Sequence, residues 1–125
     1  MNILLVDDHR IIRKALVPLL QDRFDATIAE AENGHQGVEI YENGPDHFDL
    51  IITDTRMPGM NGVEMVRKVL SLNSDQKIVI FSIYDDPETI QIISGLGVKG
   101  YVQKEFDISV LFKCISSCAI DIPVH

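Results

Sequence analysis

The sequence predicts an α/β fold: a single doubly wound domain of five strands and five helices, with a parallel sheet in the order 2-1-3-4-5. Three observations predict it. Short apolar runs alternate with amphipathic stretches along the chain, the pattern of successive βαβ units joined by short loops. Three of the runs, ILLV at 3–6, LIIT at 50–53 and KIVIF at 77–81, are continuous, as strands covered on both faces are. The other two, Thr27–Ala31 and Gly100–Gln103, mix polar with apolar residues, which suits the sheet edges.

Taken in order, Ile3-Leu4-Leu5-Val6 is the first strand, ended by Asp7-Asp8. A helix runs from His9 to about residue 21, with Ile12, Ala15, Leu16, Leu19 and Leu20 on its apolar stripe and Arg10, Arg13 and Lys14 facing elsewhere. Pro18 lacks an N–H and crowds the Lys14 carbonyl, which predicts a kink or an early end. Thr27–Ala31 is the second strand, and Asn33 caps a helix over about 35–43, with Gln36 placed for a capping box. Gly37 reads as a small residue where that helix nears the sheet. After LIIT, Asn61 caps a helix with Glu64 three residues on and Val63, Val66, Val69 and Leu70 as its stripe. Strand four, 77–82, leads to a helix capped by Asp86, with Pro87 in its first turn and Ile90, Ile93 and Leu96 facing inward. Gly100–Gln103 is strand five, and Asp107 caps a last helix carrying Leu111, Phe112, Ile115 and Cys118.

The chain has 125 residues, 46% of them apolar, enough for one core, and it shows no repeat, linker or low-complexity tract. Nineteen acidic against eleven basic residues give a formal net charge of -8, which disfavours direct contact with nucleic acid. Cys114 and Cys118, four apart on a helix, read as small core or boundary residues, because a metal site there would find only His125 nearby. No apolar stretch approaches the ~18 residues of a membrane span. The start of the chain has no basic segment ahead of its first apolar run, so a secretory leader is not expected and a reducing cytoplasm is the expected compartment.

In an open parallel sheet, ligands bind beyond the carboxyl ends of the strands, where the winding reverses. Just past the strand ends in this chain stand Asp7 and Asp8, Asp54, Ser82 and Lys104. Each alone has an ordinary reading: a helix cap, a turn residue, a loop hydroxyl, a solvated lysine. Together at four strand ends of one sheet they make a pocket of three carboxylates, a hydroxyl and an amine. Three carboxylates about 4 Å apart repel by roughly 4 kcal/mol per pair at an effective dielectric of 20. Lys104 offsets one charge and a divalent cation two more, and an all-oxygen donor set with open positions favours Mg²⁺. A carboxylate held beside an ammonium and Mg²⁺ is placed to accept a phosphoryl group, with Ser82 to bond its oxygens.

These residues resemble the receiver domain of bacterial two-component response regulators, with its CheY-like (flavodoxin-like) fold. The resemblance covers nearly the whole chain and rests on ILLVDDH, AEAENGHQGVE, DLIITDTRMPGMNG, KIVIFS and GYVQK, in the family's order. It implies that residues 1–125 are one receiver domain, with an output domain absent from this chain. It implies Asp54 as phosphoacceptor and Asp7, Asp8, Asp54 and the backbone carbonyl of Arg56 as Mg²⁺ ligands, with Ser82 and Lys104 acting on the phosphoryl group. Ser82 and Tyr101 would be the switch pair, although an edge-strand Tyr is ordinarily half-buried packing, and His9 would be an exposed first-turn residue sooner than a metal ligand. The implied donor is a phosphohistidine on a sensor histidine kinase. Further partners would be a second copy of the domain after phosphorylation, or a DNA-binding output domain, since VDDHRIIRKAL is similar to receivers joined to LuxR-type helix-turn-helix domains. The domain would be a switch that assists its own phosphoryl transfer, not an enzyme.

The sequence departs from the family where Glu105 follows Lys104, since proline there would favour a cis bond. Arg56 and Tyr84, two residues beyond Asp54 and Ser82, would shield an acyl phosphate from water and slow its decay. Competing readings fit less well. A flavin carrier needs a Gly- and hydroxyl-rich loop after strand one, where this chain has Asp-Asp-His-Arg. A haloacid-dehalogenase-type phosphatase wants a second Asp where Arg56 stands. A receiver-shaped protein-binding module that is not phosphorylated is the remaining alternative.

Overall fold

The computed structural model of the chain describes residues 1–44, 47–83, 85–104 and 108–119. Five strands alternate with five helices: β1 (Asn2–Val6), α1 (Arg10–Phe24), β2 (Thr27–Ala31), α2 (Gly34–Asn43), β3 (Leu50–Thr53), α3 (Gly62–Leu72), β4 (Ile78–Ser82), α4 (Pro87–Gly95), β5 (Gly100–Gln103) and α5 (Ser109–Ala119). The strands form one parallel sheet in the order β2-β1-β3-β4-β5, as the sequence predicts. Val6 lies opposite both Ala31 and Thr53, Thr53 opposite Ile80, and Ser82 opposite Gln103. That register brings Asp7, Asp54, Ser82 and Lys104 to a common edge.

Alternate residues of the inner strands feed two cores. Ile3, Leu5, Leu50, Ile52, Val79 and Phe81 pack with Leu16 and Leu20 of α1 and Leu111 and Ile115 of α5. Leu4, Val6, Ile51, Ile78 and Ile80 face the other way, against Val38 of α2, Met65, Val66 and Val69 of α3, and Ile93 of α4. Each such fully buried side chain is worth about 1.5–3 kcal/mol against exposure, and burial on both faces explains why these strands lack alternation.

The helix starts follow their caps. Asn33, Asn61 and Asp86 each accept the N–H three residues on, from Gln36, Glu64 and Thr89. The N–H and hydroxyl of Thr89 hold the Asp86 carboxyl below its ordinary value of 3.8. Gln36 closes its box one residue further back than predicted, accepting from the Glu32 N–H at 2.6 Å. Gly37 is small for the predicted reason, since a Cβ there would lie 2.8 Å from Met65 Sδ and 3.2 Å from Val6.

Helix α1 differs from expectation in two ways. It continues through Pro18 to Phe24, with no early end. Proline removes a single backbone bond, and buried Leu16 and Leu20 on either side hold both halves against the sheet. Its stripe is also rotated: Leu19 is exposed, whereas Arg13 is only 5% exposed. The Arg13 guanidinium donates to the Asp7 carbonyl and to Glu30 Oε1, so it is satisfied rather than solvated. In α3, Met65 joins the predicted Val66 and Val69 as a fully buried residue, while Val63 and Leu70 are half-buried. The predicted cap Asp107, and Glu105 with the bond that precedes it, lie outside the described residues.

Candidate functional site

The ends of four strands are tied in two pairs before any side chain enters. The Asp54 N–H donates to the Val6 carbonyl at 3.0 Å, and the Lys104 N–H to the Ser82 carbonyl at 2.6 Å. Beneath Asp54 the chain turns back through Met-Pro-Gly, with Gly59 at φ +75°. Gly62 then passes so close that a Cβ would overlap the Asp54 carbonyl oxygen and sit 2.8 Å from Thr55 Cα. The loop that reads as punctuation in the sequence is a backbone clamp under the carboxylate.

Asp54 is 3% exposed, and both its oxygens are engaged. Oδ1 accepts the Thr55 N–H at 2.7 Å, with the Arg56 N–H at 3.4 Å, and Oδ2 accepts from Lys104 Nζ at 2.8 Å. The same ammonium lies 2.6 Å from Asp7 Oδ2. Asp7 Oδ1 accepts the His9 N–H at 2.8 Å and lies 2.9 Å from His9 Nδ1. That nitrogen also faces Asp8 and Asp54 at 3.4 and 3.6 Å. Nδ1 thus meets three carboxylates, to which a protonated nitrogen would donate, and lies 3.2 Å from Lys104 Nζ. His9 is exposed, as predicted, and stands at the N-cap position of α1 without a side-chain capping bond; its ring reaches the acidic cluster instead.

Ligand atoms of Asp7, Asp8, His9 and Asp54 all lie within 4.8 Å of one another. Three carboxylates against one ammonium leave two formal negative charges uncompensated in a partly dry pocket. Hard oxygens with a charge deficit of two suit Mg²⁺ better than a thiophilic metal, and the exposed side of Asp8 leaves positions open to water. Asp8, His9, Asp54, Arg56, Ser82 and Ile83 line a cavity of about 310 Å³ at this mouth. Arg56 forms part of its wall through an exposed side chain.

A second layer was not anticipated from the sequence. Asp85 is 2% exposed, accepts from the Thr55 hydroxyl at 2.6 Å and the Tyr101 phenol at 2.7 Å, and lies 3.8 Å from Arg56 Nε. Thr55 Oγ1 is also 3.0 Å from Ser82 Oγ. Tyr101 therefore points at the site, where burial first and the Asp85 hydrogen bond second push its phenol well above the usual tyrosine range. The adjacent acids Asp85-Asp86 were the available signal, but only the second is the helix cap. Arg13 was missed because its tie to the Asp7 carbonyl depends on how α1 rotates.

Tyr84 lies outside the described residues. Cys114 and Cys118 sit on α5, away from the cluster; burial, and then Cys118, push the Cys114 thiol up to about 11. Among the described residues no helix is long and apolar enough to cross a membrane.

Residues 3–116 match the family described as the response regulator receiver domain. The chain is 36% identical over 119 residues to the nitrate/nitrite response regulator protein NarL of Escherichia coli (strain K12), covering 94% of this chain and 54% of NarL. It is 34% identical to the chemotaxis protein CheY of Pseudomonas aeruginosa, covering 89% of this chain and 90% of that protein. Among solved structures, response regulator protein TrrA of Thermotoga maritima, in complex with Mg²⁺ and BeF, superposes with a TM-score of 0.83 at 30% identity, over 94% of this chain and 97% of that one. The chain spans about half the length of NarL.

Proposed function

Because the chain belongs to the receiver domain family of two-component response regulators, we propose that it is a phosphoacceptor switch in which Asp54 takes a phosphoryl group from a phosphohistidine on a sensor kinase. The observation that carries the reading is the Lys104 ammonium bridging buried Asp54 and Asp7, at 2.8 and 2.6 Å, at the carboxyl edge of the sheet. An Asp54 oxygen would form the new bond to phosphorus while the bond to the donor imidazole nitrogen breaks. The bond's electron pair goes to that nitrogen, and the imidazole leaves neutral because its other ring nitrogen has taken up a proton from solvent. Lys104 then follows the charge from the carboxylate to the phosphoryl oxygens, so its ammonium serves both states.

Asp7, Asp8, Asp54 and the carbonyl of Arg56 would hold Mg²⁺, which when bound neutralises charge on the transferring group. The remaining work belongs to the chain. The Thr55 N–H orients Asp54, the Gly62 clamp fixes its backbone, and Ser82 offers a hydroxyl to the phosphoryl oxygens. Occupation of Ser82 by phosphate would alter its contact with Thr55 and, through it, the setting of Tyr101. The surface of α4, β5 and α5 would then favour a partner, a second copy or an output domain in a longer protein of the NarL kind. A cytoplasmic location suits a kinase-fed switch.

Intact mass measurement after incubation with Mg²⁺ and a small acyl-phosphate donor tests this, with Asp54→Asn alongside. Gain of one phosphoryl group in the wild type only is the expected result. No gain in either folded protein, together with no transfer from a phosphorylated histidine kinase, would replace the reading with a protein-binding module.

A further inference from the structure

We infer that Asp85 and Thr55 form a latch that commits the Ser82 hydroxyl away from Asp54 and holds Tyr101 inward, so that phosphorylation must break this chain before Ser82 can act. The inference rests on the phosphoacceptor reading of Asp54 and adds two positioning residues to it.

The direction of the protons comes from counting them. A carboxylate only accepts, so the short 2.6 Å bond to Asp85 Oδ1 uses the single proton of Thr55. In the 3.0 Å pair between Thr55 and Ser82, Thr55 then has only lone pairs to give, and Ser82 must be the donor. Ser82 also has one proton, and its hydroxyl reaches two acceptors, Thr55 Oγ1 and the phenol oxygen of Tyr101, both of which spend their own protons on Asp85. On the other carboxylate oxygen, Asp85 Oδ2 accepts the Tyr101 phenol at 2.7 Å. The two switch residues are thus joined through two buried side chains, Ser82 to Thr55 to Asp85 and Tyr101 to Asp85, as well as by their own hydroxyl contact. Thr55 is 3% exposed and Ser82 1%, so water does not readily replace either bond.

The position of Thr55 makes the chain consequential. Its N–H holds Asp54 Oδ1, so a single residue grips the acceptor with its backbone and the switch hydroxyl with its side chain. Arg56 Nε, 3.8 Å from Asp85 Oδ1, supports the anion from the solvent side. To donate to a phosphoryl oxygen on Asp54, Ser82 must give up its bond to Thr55. That loss opposes the phosphorylated state by the worth of about one hydrogen bond, or roughly fivefold in its equilibrium.

The test uses beryllofluoride with Mg²⁺ as a phosphoryl mimic on the whole chain, and reads apparent affinity together with the ring resonances of Tyr101. Thr55→Val removes the acceptor while keeping shape, and is expected to tighten the mimic about fivefold. Thr55→Ser restores the hydroxyl and is expected to return to the wild-type affinity, which a loss of packing alone would not do. Asp85→Asn can accept from only one of its two donors. It is expected to shift the Tyr101 ring resonances in the absence of the mimic and to be non-additive with Thr55→Val. Wild type that binds, with folded Thr55→Val and Asp85→Asn proteins binding equally or more weakly, would overturn the latch and leave the phosphoacceptor reading standing. Wild type that neither binds the mimic nor gains a phosphoryl group would overturn both.

Discussion

Arg56 is the residue whose role is decided by geometry the sequence only hinted at. Its backbone N–H leans on Asp54, while its exposed guanidinium approaches Asp85 and walls a cavity that opens onto Asp54. Arg56→Ala is therefore expected to shorten the lifetime of the phosphorylated protein a few-fold without changing the site of modification, as measured by mass spectrometry after the donor is removed. An unchanged lifetime would mean that the guanidinium does not restrict water. At this scale the sequence was legible where strand ends could be located: Asp7, Asp8, Asp54, Ser82 and Lys104 stand at one edge because continuous apolar runs stop just before them. It was not legible for Arg13, Thr55 and Asp85. Their partners come from other elements, and a basic helix residue, a threonine in a loop and an acid beside a helix cap each have an ordinary local reading. His9 is exposed as read, but its approach to Asp54 was not legible, since only the meeting of β1 with β3 adds that carboxylate to the neighbouring Asp7 and Asp8.

Between elements, small residues set the distances on which the site depends, and Gly100 is the plainest case. It opens β5 where α5 crosses, and a Cβ there would overlap Cys114 Sγ. This contact helps explain why the Cys114 thiol is half-buried and pushed up to about 11. Gly100→Ala is expected to destabilise the fold by about 1–3 kcal/mol, the usual cost of overpacking. Adding Cys114→Ala should recover most of that loss, because it removes the atom in the way. Chemical denaturation of the two single variants and the double variant gives the answer: simple additivity would mean that β5 and α5 do not meet as described. Sequence pattern located both elements but not their separation. Helical periodicity says which side faces the sheet, and says nothing of whether a sulfur or a backbone fills the gap. Pro18 teaches the same point from the other side, since of the predicted kink or early end, burial of Leu16 and Leu20 overrode the early end.

For the molecule as a whole, the distribution of charge matters more than its total. A formal net charge of -8 gives general repulsion that any salt screens, whereas the cluster at the sheet edge concentrates three carboxylates around one ammonium. These two effects separate in a thermal melt. A cation that binds the folded state alone stabilises it by mass action, about 1.4 kcal/mol at ten times its dissociation constant. For a domain of this size that raises the melting temperature by roughly 4–7 °C. Wild type is therefore expected to gain that increment in Mg²⁺ beyond what NaCl of equal ionic strength provides. Asp8→Asn, which removes the most exposed of the three carboxylates, is expected to respond to both salts alike. Chelation should return the wild type to its NaCl value. Equal responses of wild type and Asp8→Asn would reduce the cluster to surface repulsion relieved by screening. Lys104 alone would then be the compensating charge, and the two excess negative charges would have to be borne by water entering beside Asp8 and His9.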